Sequence, residues 1–214
     1  MNQLSFSSLE HRRLLRRPYL KPAPALFLDR DGVLIEDRHH LCDPDQVQLC
    51  PGALQLLEAA NARDWPVVLI TNQSGIARGY FGWDAYERVT DRLLELLGPL
   101  TPIAAIYASG HGPNSPATSW RKPSPAMLLA AATDLHLDLS RSLLVGDRLT
   151  DLLAGSRGGL NWLGHVTTGH GQWERDAVEI WSAQIQDANK QNHSCDVVLL
   201  ETLHDFPVDR LHRI

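Results

Sequence analysis

Short apolar runs recur along this chain, and longer stretches with helically spaced apolar positions separate them. The runs ALFLD, PVVLIT, AAIYAS, SLLVGD, LNWLG and CDVVLL read as strands, most of them too uniformly apolar to have a wet face. Helices are expected between them. Pro51 heads GALQLLEAANAR, and Ser124 and Pro125 stand as cap and first-turn residue before AMLLAAATDLH. Further helices are expected to begin near Trp83, Leu149 and Trp173. The last of these, QWERDAVEIWSAQIQDANKQ, is expected to bury Trp173, Val178 and Trp181 in part. Strands alternating with helices predict an α/β fold, a Rossmann-like three-layer sandwich around a central parallel sheet.

Before Ala25 the pattern differs. A basic cluster, HRRLLRR, precedes prolines from Pro18 to Pro24 that do not continue a helix. This segment reads as an arm or short helix outside the main fold, with the arm over 1–24 and the domain over 25–214. At 214 residues and 43% hydrophobic content the chain holds one sizeable core.

In open α/β sheets ligands bind at the carboxyl ends of the strands. Asp29, Thr71 and Asp147 each terminate a predicted strand, so the sheet would bring them to one edge. In LFLDRDGVL two carboxylates, Asp29 and Asp31, flank one residue and precede Gly32, which permits a tight turn around a bound group. Carboxylates that close repel unless a cation or proton intervenes. Such a pair suits phosphoryl transfer, one attacking phosphorus and the other handling the leaving-group proton.

Three further stretches fit that chemistry. TNQSG offers the Thr71 hydroxyl, the Asn72 amide and backbone N–H groups to phosphate oxygens. RKPSP places Arg121 and Lys122 before a helix start, as positive charge for a phosphoryl group. SLLVGDRLTD sets Asp147 at a strand end and Asp151 four residues on, oxygen ligands that favour Mg2+.

DRDGV, TNQSG, RKP and GDRLTD, in this order, resemble the four motifs of the haloacid dehalogenase superfamily of phosphatases. The longer matches DRDGVLIED, TNQSGIARG and RKPSPAMLL resemble its heptose 1,7-bisphosphate phosphatases, with histidinol-phosphate phosphatases as neighbours. The resemblance implies Asp29 as nucleophile and Asp31 as general acid and base. It also implies Thr71, Asn72 and Lys122 on the phosphoryl group, with Arg121 and Arg148 on substrate. Mg2+ would be held by Asp29, Asp147 and the Asp31 backbone carbonyl, with Asp151 behind them.

The chain departs from the family in the loop ASGHGPNSPATSWRKP. Ser109, Thr118 and Trp120 stand where the family places zinc-binding cysteines, and His111 alone remains of the four ligands. One His, two hydroxyls and an indole do not make a tetrahedral zinc site, so structural zinc is expected to be absent and packing by Trp120 to order the loop. Asp37, His39 and His40, in EDRHHLCDPD, occupy the region where relatives recognise distal parts of the substrate. The interval from Asp29 to Thr71 leaves no room for a large cap domain.

Composition narrows the partners. A formal charge of -5 argues against nucleic acid, and the three cysteines suggest neither a disulfide framework nor a CxxC metal pair. No apolar run approaches a membrane span, and the first residues lack the apolar core of a secretory signal. The expectation is a cytoplasmic monomer acting on a small phosphorylated metabolite. A binding protein that kept the fold without activity is the alternative of another class.

Overall fold

A computed structural model describes residues 9–99, 101–188 and 195–212. Parts of the expected arm (1–8) and of the last long helix (189–191) lie outside them. Seven strands form one sheet: β1 (Glu10–Leu14), β2 (Leu26–Leu28), β3 (Val67–Asn72), β4 (Ile103–Ser109), β5 (Leu143–Gly146), β6 (Trp162–His165) and β7 (Asp196–Leu199), in the spatial order β1-β4-β3-β2-β5-β6-β7. All neighbours run parallel except β1, which is antiparallel to β4.

Five helices cover the sheet: α1 (Ala53–Asn61), α2 (Trp83–Leu97), α3 (Ala126–Leu135), α4 (Leu149–Arg157) and α5 (Gly171–Ala188). Strand alternation assigns the two cores. Leu26 and Leu28 of β2 pack with Leu56 and Leu57 of α1 and Val89 and Leu93 of α2. Phe27 points the other way and joins Met127 and Leu128 of α3, Leu152 of α4 and Val178 of α5. These are the three layers that the sequence predicts, and β2, which carries the first motif, is central.

Two expectations need correction. Glu10–Leu14, read as part of an arm outside the main fold, is the edge strand of the sheet, with Glu10 opposite Ser109 and Leu14 opposite Ala105. Its arginines are held on the surface by acids, Arg12 by Asp134 at 2.7 Å and Arg13 by Glu87 at 3.1 Å. Trp173, expected to be partly buried, is 77% exposed, whereas Val178 is buried and Trp181 packs against the same core. At about 100° per residue Trp173 lies roughly 140° around the helix from Val178, off the face that meets the sheet. Among the described residues no helix is long and apolar enough to cross a membrane.

Candidate active site

The first motif begins where β2 stops. A turn opens at Arg30, whose carbonyl accepts from the N–H groups of Leu34 and Ile35. Gly32, at φ 83°, makes that turn possible, and a Cβ there would stand 2.4 Å from Asp147 Oδ2. Gly146, at the end of β5, serves closeness in the same way: a Cβ would meet the Asp151 side chain at 2.3 Å.

Lys122 organises the floor of the site. Its ammonium reaches Asp29 Oδ1 at 2.9 Å, Asp151 Oδ1 at 2.8 Å and the Ile70 carbonyl at 2.9 Å, one acceptor for each proton. The residue is 2% exposed. Burial opposes its charge, but Asp151 and Asp29 more than offset this and hold its pKa above the ordinary lysine range. Asp29 also accepts from the Arg30 N–H at 2.7 Å. Burial pushes the Asp29 carboxyl up, Lys122 pulls it down, Asp151 and Asp31 push it up again, and the outcome is about 7.

Asp147 is buried, with Oδ2 accepting the His170 N–H at 2.7 Å. Its Oδ1 is buried with no hydrogen-bond partner. Burial, then Asp151 and Asp29, raise its pKa well above the carboxylate range. Oxygens of Asp29, Asp147 and Asp151 lie within 4.8 Å of one another. A lone buried carboxylate oxygen beside two other carboxylates suits a hard dication, so the residues present fit Mg2+. Asp151 is committed on both oxygens, to Lys122 and to the Arg148 N–H at 3.0 Å, which agrees with a place behind the ligands.

Asp31 faces other partners. Arg30 grips it with Nε and Nη2, each at 3.1 Å, while Gln73 Nε2 donates at 2.8 Å and Thr71 Oγ1 at 3.4 Å. Arg30 is itself fully buried, with its guanidinium 4.9 Å from the centre of the Tyr86 ring. Arg30 and Gln73 are functional candidates that the sequence reading passed over. The signal was a charged residue inside an otherwise apolar strand end and an amide between Thr71 and a turn.

Asn72 lines the cavity and also has a positioning task. Its amide pairs with the Lys122 peptide in both directions, Nδ2 to the carbonyl at 3.2 Å and Oδ1 from the N–H at 3.0 Å. It therefore positions the lysine from the neighbouring strand.

Asp29, Asp31, Thr71, Lys122, Asp147 and Asp151 meet at one cavity of about 170 Å3. Its rim carries Asp37, His39, His40, Arg121, Arg148 and His170. Arg121 donates to the His111 carbonyl at 3.0 Å, and burial, Arg148 and Arg78 lower its pKa, the mark of clustered positive charge that attracts anions. Arg148 pairs with Glu174 at 2.9 Å, an acid that also accepts the Leu149 N–H at 2.8 Å and so caps α4; it too was missed in the sequence.

The loop before Arg121 is held by packing. The Trp120 ring lies 5.4 Å from that of Tyr107, and the Trp120 backbone N–H donates to the Glu10 carboxylate of β1 at 3.2 Å. Ser109 is buried with Oγ 3.3 Å from His111 Nδ1.

A HAD-hydrolase-like family model matches residues 119–187, the stretch from the lysine motif into α5. The D-glycero-beta-D-manno-heptose-1,7-bisphosphate 7-phosphatase of Mesorhizobium japonicum is 48% identical over 149 residues, which cover 65% of this chain and 69% of that one. This chain belongs to the haloacid dehalogenase superfamily of phosphatases. The corresponding enzyme of Escherichia coli K12 is 34% identical over 141 residues, covering 63% of this chain and 74% of its own. Among solved structures, the D,D-heptose 1,7-bisphosphate phosphatase of B. bronchiseptica superposes with a TM-score of 0.71 at 30% identity, covering 88% of this chain and 97% of that one. That protein was crystallised with magnesium and phosphate. As a haloacid dehalogenase phosphatase, the chain is an enzyme that hydrolyses phosphate esters, and its four motifs converge on one cavity as the family requires.

Proposed function

We propose that this phosphatase removes the 7-phosphate from D-glycero-D-manno-heptose 1,7-bisphosphate with Asp29 as nucleophile. The observation that carries the chemistry is the contact of Asp29 with the Lys122 ammonium at 2.9 Å, on a cavity floor that also holds an unpartnered Asp147 oxygen. The substrate is supported by the 48% identity to the Mesorhizobium japonicum enzyme.

An Asp29 oxygen attacks phosphorus, the bond from phosphorus to the sugar oxygen breaks, and that oxygen takes a proton from Asp31. A water then gives a proton back to Asp31 and attacks phosphorus, releasing Asp29 and inorganic phosphate. Lys122 and Thr71 steady the phosphoryl oxygens as charge redistributes. Mg2+ held by Asp29, Asp147 and the Asp31 carbonyl would supply Lewis-acid polarisation and neutralise charge between carboxylate and phosphate. Arg30 and Gln73 hold the Asp31 carboxylate at the cavity edge. Arg121 and Arg148 stand where an anionic substrate enters.

The test is phosphate release from heptose 1,7-bisphosphate, histidinol phosphate and an aryl phosphate, each with Mg2+ or with EDTA. Metal-dependent release with a clear preference for the heptose is expected. Preference for histidinol phosphate would overturn the substrate, and a folded protein that releases nothing from any of them would overturn the mechanism.

A further inference from the structure

At the mouth of the cavity a second group of metal-ligating side chains stands apart from the carboxylate floor. Asp37 Oδ2 is 2.8 Å from His170 Nε2, and Asp37, His39 and His170 can each offer one ligand atom such that the three lie within 4.8 Å of one another. The two imidazole rings are 6.0 Å apart between centres. We propose that Asp37, His39 and His170 form a site for a borderline transition-metal dication, of the Zn2+ or Co2+ class, separate from the Mg2+ position.

Donor chemistry separates the two sites. The metal ligands of the floor are all oxygens, hard donors that suit Mg2+, while two imidazoles with one carboxylate suit a zinc-class ion. Three protein ligands and one open position is also the arrangement of exchangeable zinc sites.

Spacing agrees with this assignment. Bonds of about 2.0–2.1 Å around a tetrahedral ion set donor atoms roughly 3.3 Å apart. The 2.8 Å contact between Asp37 and His170 therefore needs to open by only about half an ångström to admit the cation.

The ligands are also held from behind. Asp37 Oδ1 accepts the His39 N–H at 3.0 Å, which leaves Oδ2 turned towards His170. His170 is fixed through its own N–H on Asp147, and the ring of its neighbour Trp173 lies 6.2 Å from its imidazole. The loop after the first motif and the start of α5 are thus both anchored before any cation arrives. All three residues line the cavity that holds Asp29, where water or an oxygen of a substrate's distal group would complete the coordination.

The experiment uses the full chain in excess Mg2+, so that the floor is filled. Co2+ is titrated while its visible absorption is followed, and Zn2+ uptake is counted by equilibrium dialysis. One equivalent of each is expected, with cobalt bands of a nitrogen-containing low-coordinate site. His39→Gly removes an imidazole and also relieves a φ of 46°, and Asp37→Asn keeps the shape. Each should weaken binding by more than the roughly 10- to 100-fold that loss of an outer-shell partner costs. Absence of uptake, or binding that survives in either folded variant, would overturn the site. An enzyme that hydrolyses its ester with Mg2+ alone and takes up no cobalt would remove this inference and leave the phosphatase reading intact.

Discussion

The floor of the cavity and its rim are built on different principles. On the floor, Lys122, Asp147 and Asp151 are almost completely buried: Asp147 follows β5 directly, Asp151 sits in the first turn of α4, and Lys122 precedes α3. Lys122 has three acceptors within 3 Å, and Asp147 Oδ1, buried with no hydrogen-bond partner, points to a cation. On the rim, His39 and His40 are exposed, both have positive φ, and they come from a loop. The contrast separates chemistry from recognition: a change on the floor should alter turnover of every ester, while a change on the rim should alter which ester binds.

The hardest break is Asp29→Asn. It keeps the shape and removes the nucleophile, so kcat should fall by roughly ten-thousandfold or more on all substrates, as when other covalent hydrolases lose theirs. Steady-state release of phosphate measures this, and residual activity above about one per cent would remove Asp29 from the nucleophile's role. Lys122→Met comes next. It removes the cation that Asp29 and Asp151 share, so turnover should fall by about 10²–10³-fold. Folding stability should fall by about 3–5 kcal/mol, since two buried carboxylates lose their partner. Denaturant melts would show whether the floor depends on this lysine to that extent.

The floor also predicts a pH effect of definite sign. Burial first, with Asp151 and Asp31 acting against the pull of Lys122, raises Asp29 to about 7, above its unfolded value. The native state then holds a proton that the unfolded chain has lost, so metal-free stability falls as pH rises from about 4 through 7. A dication among the carboxylates replaces that proton. The rise in melting temperature caused by Mg2+ should therefore be larger at pH 7.5 than at pH 5.5, roughly the two sides of the range over which the carboxyls titrate. Melts in EDTA and in Mg2+ check this, and an equal rise at both pH values would argue against a cation bound to Asp29.

The same contrast explains what could be read from the sequence. Strands β2 to β6 were legible because a strand buried on both faces leaves an uninterrupted apolar run, as in PVVLIT and AAIYAS, while the edge strand β7, half exposed, still carries the run VVLL. The floor was legible because Asp29 and Asp147 follow such runs directly and Lys122 stands just before a helix start. β1 was not, because a charged edge strand carries Arg12 and Arg13 to solvent and looks like any basic surface segment. Arg30 was hidden for the opposite reason: a charge normally found outside is buried against Tyr86 and finds its partner one residue away. The task of Asn72 depends on a peptide fifty residues along the chain, a contact that spacing does not encode. Trp173 was misread because aromatic content suggests burial, whereas the helical angle between it and Val178 decides it.

The mildest break tests the link between edge strand and rim. Glu10 accepts the Trp120 N–H at 3.2 Å, and the loop it holds runs directly into Arg121. Glu10→Ala removes that acceptor at a partly buried position, a loss of about 1 kcal/mol. Lys122 is fixed independently by Asn72 and by its three acceptors, so kcat on an aryl phosphate should stay within about twofold of wild type. The Arg121 guanidinium is held by its bond to the His111 carbonyl in the same loop. Its loosening should raise KM for a bisphosphate by about fivefold, the factor that 1 kcal/mol commands. A fall in kcat on both esters would show that β1 supports the floor itself, and unchanged KM would show that the loop keeps its place without the strand.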